Sequence, residues 1–307
     1  MSSTTDKGIL LDAGTNEIEI MEFTICNNTF GINVAKVKEI LMDSEIKSMP
    51  HSHPSVEGVF KSRDVLLTVI NLPHYLGLNS DDAKARSLFI VTSFNKMSVA
   101  FRVDSVVGIN RISWENIEKP DRTIYGGSEG VATGIANYDD RLITILDFEK
   151  IISDISPESG IQVSSITKMG ARNENNIPIV VVEDSTLLAK MILECLHLAG
   201  FTNIIQFNNG EEAWDYLGGL RQQKNITDSV ACVITDIEMP RMDGHRLTKL
   251  IKSDKEFKVI PVIIFSSLIN DEMRRKGEHL GADAQLSKPD IGKLVSVLDQ
   301  VIETGNK

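Results

Sequence analysis

The sequence predicts two domains of different class, an all-β domain followed by an α/β domain with a parallel sheet. The chain has 307 residues, a length that suits two domains of roughly 150 residues each. Before residue 153, short segments of strand character follow one another closely. After residue 176, each apolar strand is followed by an amphipathic helix of about ten to fifteen residues, the alternation of a parallel sheet. Residues 153–176 are rich in Ser, Asn, Gly and charged side chains and are predicted to be a flexible linker.

The first domain is expected to form hairpins in an antiparallel barrel or sandwich. Strand character covers residues 18–25, 29–32, 65–72, 88–94, 97–103 and 142–146. Turn signals join several of these strands, namely Asn27-Asn28, Phe94-Asn95-Lys96 and Tyr138-Asp139-Asp140. A short helix is predicted over residues 34–42 by the spacing of Val34, Val37, Ile40 and Leu41.

The second domain is expected to be doubly wound, with strands at residues 179–182, 203–207, 230–235, 259–265 and 284–286. Ser185 is positioned to cap the N-terminus of its first helix, and Gly200 to end that helix. Five such units predict a flavodoxin-like domain with a five-stranded parallel sheet in the order 2-1-3-4-5. Ligands of this architecture bind at the carboxyl ends of the strands.

Composition limits the class of protein. The chain has 32 Lys and Arg against 43 Asp and Glu, a net charge of −11, which argues against a nucleic-acid partner. No apolar run is long enough to span a bilayer, and residues 1–11 lack the apolar core of a signal peptide, so no membrane insertion is expected. The three cysteines, Cys26, Cys195 and Cys232, are predicted to be buried thiols in a reducing cytoplasm.

Carboxylates follow the first and third predicted strands of the second domain. Glu183 and Asp184 follow the first strand, and Asp236 follows the third. Because these strands are neighbours in the order 2-1-3-4-5, the three side chains are expected to meet in one acidic site. Three carboxylates repel one another unless a cation is bound, and Mg²⁺ suits a few carboxylates and a phosphate. Asp236 can then accept a phosphoryl group as an acyl phosphate.

Two more strand ends supply groups for phosphoryl transfer. Ser266 ends the fourth strand and can donate to a phosphoryl oxygen, and Lys288 follows the fifth and supplies positive charge. Phosphoryl transfer requires mainly positioning and charge stabilisation. Each of these residues alone is more often a helix cap, a loop residue or a solvated side chain. Together, at four strand ends, they predict a phosphoacceptor site.

The motifs E-D-S, T-D-I-E-M-P-R-M-D-G, F-S-S and S-K-P, in this order and at these strand ends, resemble the response-regulator receiver domain. The resemblance covers residues 177–305. It implies that Asp236 is the phosphoacceptor. It also implies a Mg²⁺ site formed by Glu183, Asp184, Asp236 and the Glu238 carbonyl. Ser266 is implied as the switch hydroxyl and Lys288 as the phosphate-binding lysine. Receivers usually carry an aromatic switch residue where this chain has Gln285, so the resemblance does not extend to a coupling between that ring and the hydroxyl.

Enzymatic alternatives have weaker support in the sequence. Phosphatases with an aspartate nucleophile characteristically have a second Asp two residues after it, where this chain has Glu238. In the first domain, His51, His53 and His74 lack the acid or cysteine spacing of a zinc site. The glycines Gly126-Gly127 and Gly130 do not follow a strand in the pattern of a phosphate loop.

Five short motifs occur in order in the first domain: Glu22-Phe23, Phe30-Gly31-Ile32, Val37-Lys38-Glu39-Ile40, Glu57-Gly58-Val59 and Val69-Ile70-Asn71-Leu72. They resemble the CheW-like coupling domain of bacterial chemotaxis over residues 16–155, which implies paired small β-barrels and leaves residues 156–176 as linker. The family's N-L-R-G turn reads Lys61-Ser62-Arg63-Asp64 here. The resemblance implies that Val37, Glu39 and Arg63 contact receptor or kinase. The alternative is that these residues only form a solvated helix face and a hairpin tip and bind no partner.

A coupling domain followed by a receiver is the organisation of the CheV-type chemotaxis scaffold proteins, which the whole chain resembles. The resemblance implies a cytoplasmic scaffold at membrane-associated chemoreceptor arrays that joins methyl-accepting chemoreceptor tips to the sensor histidine kinase and has no turnover of its own. CheW-type coupling proteins are a further expected partner. Phosphorylation of Asp236 is expected to adapt the signal by altering this coupling. The alternatives are a phosphate sink for the kinase and a response regulator with an unrecognised enzymatic output domain.

Overall fold

The structure is a computed structural model that describes residues 14–78, 87–94, 97–120, 130–156, 173–223 and 225–305. It divides into two compact units. The first unit is Ile18–Gly160, and the second consists of Met1–Glu17 together with Ile161–Lys307. Most of the predicted linker, the Asn95-Lys96 turn and the Gly126-Gly127 pair lie outside the described residues.

The first unit contains two β-sheets built from short strands. These strands are β1 (Glu17–Ile25), β2 (Asn28–Asn33), β3 (Val37–Met42), β4 (Val56–Ser62), β5 (Val65–Asn71), β6 (Leu88–Phe94), β7 (Met97–Val103), β8 (Ser105–Ser113), β9 (Ile117–Glu118), β10 (Ala132–Tyr138) and β11 (Arg141–Leu146). One sheet has the order β8-β1-β2-β11-β10-β9, and the other has the order β3-β6-β7-β5-β4. The pairs β2 with β11 and β5 with β7 are parallel. The predicted all-β class is confirmed.

A shared aromatic core joins the two sheets of the first unit. Two short helices, α1 (Leu72–Tyr75) and α2 (Phe148–Ile155), follow β5 and β11. Phe148 of α2 is fully buried with Phe23 of β1 and Phe101 of β7. The rings of Phe101 and Phe148 meet edge to face with their centroids 4.6 Å apart, a preferred aromatic geometry. Because the three rings come from both sheets and a helix, their burial fixes the sheets to each other.

The helix predicted over residues 34–42 is wrong. Only Val34–Lys36 form a single 3₁₀ turn, and Val37–Met42 form β3, which pairs antiparallel with β6. Along β3 the side chains alternate between half-buried and exposed, the period of a strand. The apolar residues of β3 lie on both of its faces, because Val37 and Leu41 are half-buried whereas Ile40 and Met42 are exposed. No two-residue apolar period therefore marks the strand, and pairing with β6 overrides the helical spacing, since tertiary context overrides weak local preference. The prediction also missed β4, β8, β9 and β10.

The second unit is a parallel sheet with helices between its strands. The strands are β12 (Ile179–Val182), β13 (Ile204–Phe207), β14 (Cys232–Thr235), β15 (Val262–Ser266) and β16 (Ala284–Ser287), and the helices are α3 (Thr186–Leu198), α4 (Gly210–Gly219), α5 (Gly244–Ser253), α6 (Asp271–His279) and α7 (Ile291–Gly305). The order β13-β12-β14-β15-β16 is the predicted order 2-1-3-4-5. Ser185 caps α3 as predicted, accepting from the Leu188 amide at 3.4 Å, and Gly200, at φ 90°, follows its end.

Two further expectations concern the cysteines and the membrane. Cys195 and Cys232 are free and buried as predicted, whereas Cys26 is only half-buried because it lies in the tight turn between β1 and β2. Burial raises the pKa of the Cys195 thiol to about 11, so it stays protonated at neutral pH. Across the described residues, no helix is long and apolar enough to cross a membrane.

Candidate functional site

The parallel sheet brings three predicted carboxylates together. Val182 is the register partner of Thr235, so the residues that follow them, Glu183 and Asp236, leave the sheet side by side. One carboxylate oxygen from each of Glu183, Asp184 and Asp236 lies within 4.8 Å of the others. Glu183 and Asp236 are buried, whereas Asp184 is half-buried. The acidic site therefore opens to solvent on the side of Asp184.

Lys288 joins the carboxylates from the last strand of the sheet. It begins a 3₁₀ turn directly after β16, and its side chain is buried. Its Nζ lies 2.7 Å from Oδ2 of Asp236. The same atom lies 3.3 Å from Oε1 and 3.1 Å from Oε2 of Glu183. One ammonium group thus bridges two buried carboxylates.

Burial and the neighbouring carboxylates make Glu183 hard to ionise. The pKa of Glu183 is raised to about 8, mainly by burial; Lys288 opposes this rise, and the nearby Asp236 and Asp184 add to it. Oε2 of Glu183 is buried, and the charged group that faces it among the described residues is the Lys288 ammonium, 3.1 Å away. Two buried carboxylates that share one ammonium, beside a third carboxylate, fit an additional oxygen-coordinated cation such as Mg²⁺. A bound cation stabilises the ionised form of Glu183 and so lowers its pKa.

The backbone around Asp236 holds its carboxylate in place. Its amide donates to the Val182 carbonyl at 3.0 Å, and its Oδ1 accepts from the Ile237 amide at 2.6 Å. Its carbonyl accepts from the Thr235 hydroxyl at 2.9 Å. With Lys288 on Oδ2, both carboxylate oxygens have a donor. The side chain is therefore fixed before any phosphoryl group arrives, a condition for efficient transfer.

The start of α5 approaches Asp236 closely. A Cβ on Gly244 would lie 1.8 Å from the Asp236 carbonyl oxygen, so glycine alone fits. Asp243 caps α5 by accepting from the Arg246 amide at 2.6 Å, and its burial raises its pKa to about 6. Neither residue is among the predicted site residues. An Asp-Gly pair directly before a helical pattern is the signal that could have found them.

The structure places Ser266 and Glu238 after the cores of two neighbouring strands of the parallel sheet. Ser266 ends β15, which lies between β14 and β16, and its register partner is Ser287, the residue before Lys288. The Ser266 side chain is fully buried, and its Oγ accepts from the Leu268 amide at 3.3 Å. Glu238 lies two residues after Asp236 in the loop between β14 and α5. Both residues therefore belong to the carboxyl edge of the sheet.

Gln285 ties β16 to α6. Its Nε2 donates to the Arg274 carbonyl in α6 at 2.7 Å. A Cβ on Gly277 would lie 2.4 Å from Oε1 of Gln285, so the helix packs closely on this side chain. A polar contact between strand and helix thus occupies the position where an aromatic switch residue was expected by resemblance.

In the first unit, the structure brings two of the three predicted contact residues together. Arg63, at φ 53°, occupies the turn between β4 and β5 and is largely exposed. Its Nη2 lies 3.7 Å from Oε2 of Glu39. Val37 lies two residues before Glu39 on β3 and is half-buried. Because residues 37–42 are a strand, these side chains do not form the helix face that the sequence predicts.

Two of the three histidines of the first unit interact with Ser55. Nδ1 of His53 accepts from the Ser55 amide at 3.1 Å, and Nδ1 of His74 lies 3.2 Å from the Ser55 hydroxyl. Within the part of the chain that the structure describes, Glu183, Asp184 and Asp236 are the one group of three or more side chains placed to hold a metal ion.

Comparisons with known proteins match both units. Residues 19–156 match the CheW-like domain family, and residues 179–299 match the response regulator receiver domain family. The chain is 27% identical over 305 residues to the chemotaxis protein CheV3 of Helicobacter pylori, covering 95% of this chain and 97% of that protein. It is 28% identical over 286 residues to CheV2 of the same organism, covering 89% and 90%. The chemotaxis protein CheW of Thermotoga maritima is 31% identical over 145 residues, which are 47% of this chain and 94% of that protein.

Proposed function

We infer the function of this chain from its family: it belongs to the CheV-type chemotaxis coupling proteins, in which a CheW-like domain is joined to a response regulator receiver domain. It is a coupling scaffold of chemotaxis with a phosphorylatable receiver. The boundaries we propose are residues 16–155 for the coupling domain, 156–176 for the linker and 177–305 for the receiver. The observation that carries the mechanism is the buried contact of Lys288 with Asp236 and Glu183.

Asp236 is the proposed phosphoacceptor. One of its carboxylate oxygens attacks the phosphorus of a phosphohistidine on the kinase, so that an O–P bond forms while the N–P bond breaks and the imidazole leaves. Lys288 and the Ser266 hydroxyl then bind the oxygens of the transferred group. The support for this role is the fixed orientation of the Asp236 carboxylate and the ammonium 2.7 Å from it.

The proposed metal ligands are the side chains of Glu183, Asp184 and Asp236 and the carbonyl of Glu238. Mg²⁺ bound there neutralises the carboxylates and the phosphoryl charge. This proposal is supported by three convergent carboxylates, two of which are buried and share one ammonium group. Because Glu183 ionises with difficulty, we expect metal binding to release protons and to strengthen as the pH rises.

The proposed coupling surface centres on Val37, Glu39 and Arg63. Large apolar side chains nearby on β3 and β5 are exposed, namely Ile40, Met42, Val65 and Leu66. Exposed apolar groups rimmed by charge are typical of protein-protein contacts. The partners we propose are chemoreceptor tips, the sensor histidine kinase and CheW-type coupling proteins, which bring this scaffold from the cytoplasm to the membrane-associated array.

Phosphorylation is proposed to tune the coupling, with no turnover by the chain itself. The test compares wild type with Asp236→Asn, both as full chains, in a mixture of receptors and kinase. A tuned scaffold predicts receptor-controlled kinase activity that changes on phosphorylation of wild type and stays constant with the variant. A phosphate sink predicts equal coupling by both chains, with faster loss of phosphorylated kinase in the presence of wild type. An enzymatic first domain predicts that neither chain binds the mixture.

A further inference from the structure

The peptide that precedes β1 binds to the receiver. It belongs to the compact unit formed by Met1–Glu17 and Ile161–Lys307, and its described part is Gly14–Glu17. Asn16 donates from Nδ2 to the Arg241 carbonyl at 2.7 Å. Its Oδ1 accepts from the Asp243 amide at 3.0 Å. One side-chain amide thus satisfies both a backbone acceptor and a backbone donor of the loop between β14 and α5.

Both the backbone and the side chains of this peptide fit closely against the receiver. Asn16 is almost fully buried, at 7% exposure, although the ends of domains are usually poorly packed. Its φ of 68° is one that Asn tolerates better than most residues. The Gly14 carbonyl lies 3.4 Å from Nη1 of Arg246, and a Cβ on Gly14 would lie 2.8 Å from the Lys249 side chain. Two turns of α5 therefore take part in holding the peptide.

The loop bound by Asn16 is the loop that follows the phosphoacceptor. Asp243 and Gly244 present consecutive amides: the first donates to Asn16, and the second donates to the Ile237 carbonyl at 3.0 Å. The Ile237 amide in turn donates to Oδ1 of Asp236 at 2.6 Å. Three hydrogen bonds, together with the backbone of Asp243 and that of Ile237, therefore connect Asn16 with the phosphoacceptor carboxylate. Glu238, whose carbonyl is a proposed metal ligand, lies inside this loop.

We propose that Gly14–Asn16 is an intramolecular clamp on the loop of residues 237–243, and that Asn16 is a positioning residue for phosphorylation of Asp236. The clamp holds the loop in the arrangement that binds metal, so its loss weakens metal binding while leaving the chemistry of Asp236 intact. Coupling between two binding events is reciprocal, so metal bound at Asp236 strengthens docking of the peptide. The positioning role rests on the proposed function, because it involves metal binding and phosphorylation of Asp236. The contacts that form the clamp do not depend on the proposed function.

Chain connectivity gives the clamp a consequence for signalling. Asn16 is followed directly by Glu17, the first residue of β1. A change in docking at Asn16 therefore acts on the chain at the start of the coupling domain, independently of the linker at residues 156–176. The clamp is therefore a noncovalent attachment of the receiver to the peptide that leads into the coupling domain.

The test uses Asn16→Gly in the full chain, because glycine keeps the φ of 68° and removes both side-chain hydrogen bonds. The matched control is Asn27→Gly, which makes the same change at φ 62° in the exposed turn between β1 and β2. The first measurement is amide hydrogen exchange without metal. The clamp predicts faster exchange at residues 241–246 in Asn16→Gly and an unchanged rate in Asn27→Gly. Equal rates in wild type and both variants would overturn it.

The second measurement is phosphorylation by a small-molecule phosphodonor over a range of Mg²⁺ concentrations. Asn16→Gly is expected to need roughly tenfold more Mg²⁺ for half-maximal labelling, with the same final level of label as wild type. In wild type, Mg²⁺ is expected to slow amide exchange at residues 14–17. A purely structural role predicts faster exchange but an unshifted Mg²⁺ dependence, which would refute the positioning role. If wild type takes no label, the proposed function fails, and the exchange data still decide whether the clamp exists.

Discussion

Lys288 Nζ lies 2.7 Å from Oδ2 of Asp236, with both side chains buried at the carboxyl edge of the parallel sheet. The two residues are 52 positions apart in the sequence, and they meet because β14 and β16 end at the same edge on either side of β15. The contact links the proposed phosphoacceptor to the last strand and, through it, to α7. A phosphoryl group on Asp236 competes with the Asp236 and Glu183 carboxylates for the Lys288 ammonium. Phosphorylation therefore changes the contact between the ends of β14 and β16.

Replacing Lys288 by Ala is expected to destabilise the receiver. The variant leaves Glu183 and Asp236 buried without their shared cation, and breaking a buried pair of this kind costs roughly 3 kcal/mol. Denaturant unfolding in Mg²⁺-free buffer measures the loss. The control is Lys293→Ala, whose ion pair with Asp290 is exposed and which should change the free energy of unfolding by less than about 1 kcal/mol. Equal losses in both variants would contradict the bridging role.

Lys288→Ala should also impair the response to phosphate more than the uptake of phosphate. The carboxylate that attacks belongs to Asp236, whereas Lys288 connects the bound phosphoryl group with the end of β16. Radiolabelling and amide exchange of α6 and α7, measured on the same samples, separate the two effects. A variant that takes label slowly but shows the full wild-type change in exchange would argue against this division.

Stability without metal should depend on the ionisation of Glu183. Because burial raises its folded-state pKa from 4.5 to about 8, its contribution to stability is fully present below about pH 4.5 and is lost as the pH rises toward 8. Each pH unit within that range is expected to cost on the order of 1 kcal/mol. Unfolding measured from pH 4.5 to 8 should show this decline in wild type and a flatter profile in Glu183→Gln. Saturating Mg²⁺ should remove the decline, and a decline of equal slope in the variant would exclude Glu183 as its source.

Gly244→Ala should damage the phosphoacceptor site. The added Cβ meets the Asp236 carbonyl at 1.8 Å, so the start of α5 must move away from Asp236, at a cost of about 1–3 kcal/mol. Phosphorylation by a small-molecule donor should slow as well. Gly218→Ala is the matched control, because a Cβ at Gly218 in α4 meets no atom within 4 Å. That variant should gain about 0.5–1 kcal/mol and label at the wild-type rate.

Arg63→Glu should weaken binding of receptor and kinase and leave the fold intact. Arg63 is largely exposed, and its contact with Glu39 at 3.7 Å contributes less than about 1 kcal/mol. Co-sedimentation with receptor and kinase measures binding, and thermal unfolding checks the fold. Arg111→Glu is the control, because Arg111 forms a comparable exposed ion pair with Glu19 on the other sheet. If both variants lose binding equally, the effect is one of net charge and the proposed surface is wrong.

The acidic site could be predicted from the sequence because parallel-sheet topology decides where strand ends meet. Four apolar runs, which lead into Glu183-Asp184, Asp236, Ser266 and Lys288, are sufficient to place Asp236 and Lys288 at one edge. The strand over Val37–Met42 could not be predicted in the same way. Its apolar residues lie on both faces of the strand and so show no two-residue period, and the pairing with β6 that forms the strand joins residues about 50 positions apart.

Asn16 and Gln285 illustrate contacts that no local pattern reveals. Asn16 binds residues more than 220 positions away through one side-chain amide, and nothing in the sequence around it has a period or a motif. Gln285 could be identified only as a departure from the receiver pattern. Its hydrogen bond to the Arg274 carbonyl depends on the packing of α6 against β16, which the three-dimensional structure alone provides.

The most direct test of the account is phosphotransfer from radiolabelled histidine kinase in the presence of Mg²⁺, comparing wild type with Asp236→Asn and measuring receptor and kinase binding in the same samples. We expect label on wild type, none on Asp236→Asn, and a phosphorylation-dependent change in the share of wild-type chain bound to receptor and kinase. Label on Asp236→Asn at the wild-type level would contradict the assignment of Asp236. Label on wild type without any change in binding or kinase control would contradict the phosphorylation-tuned scaffold.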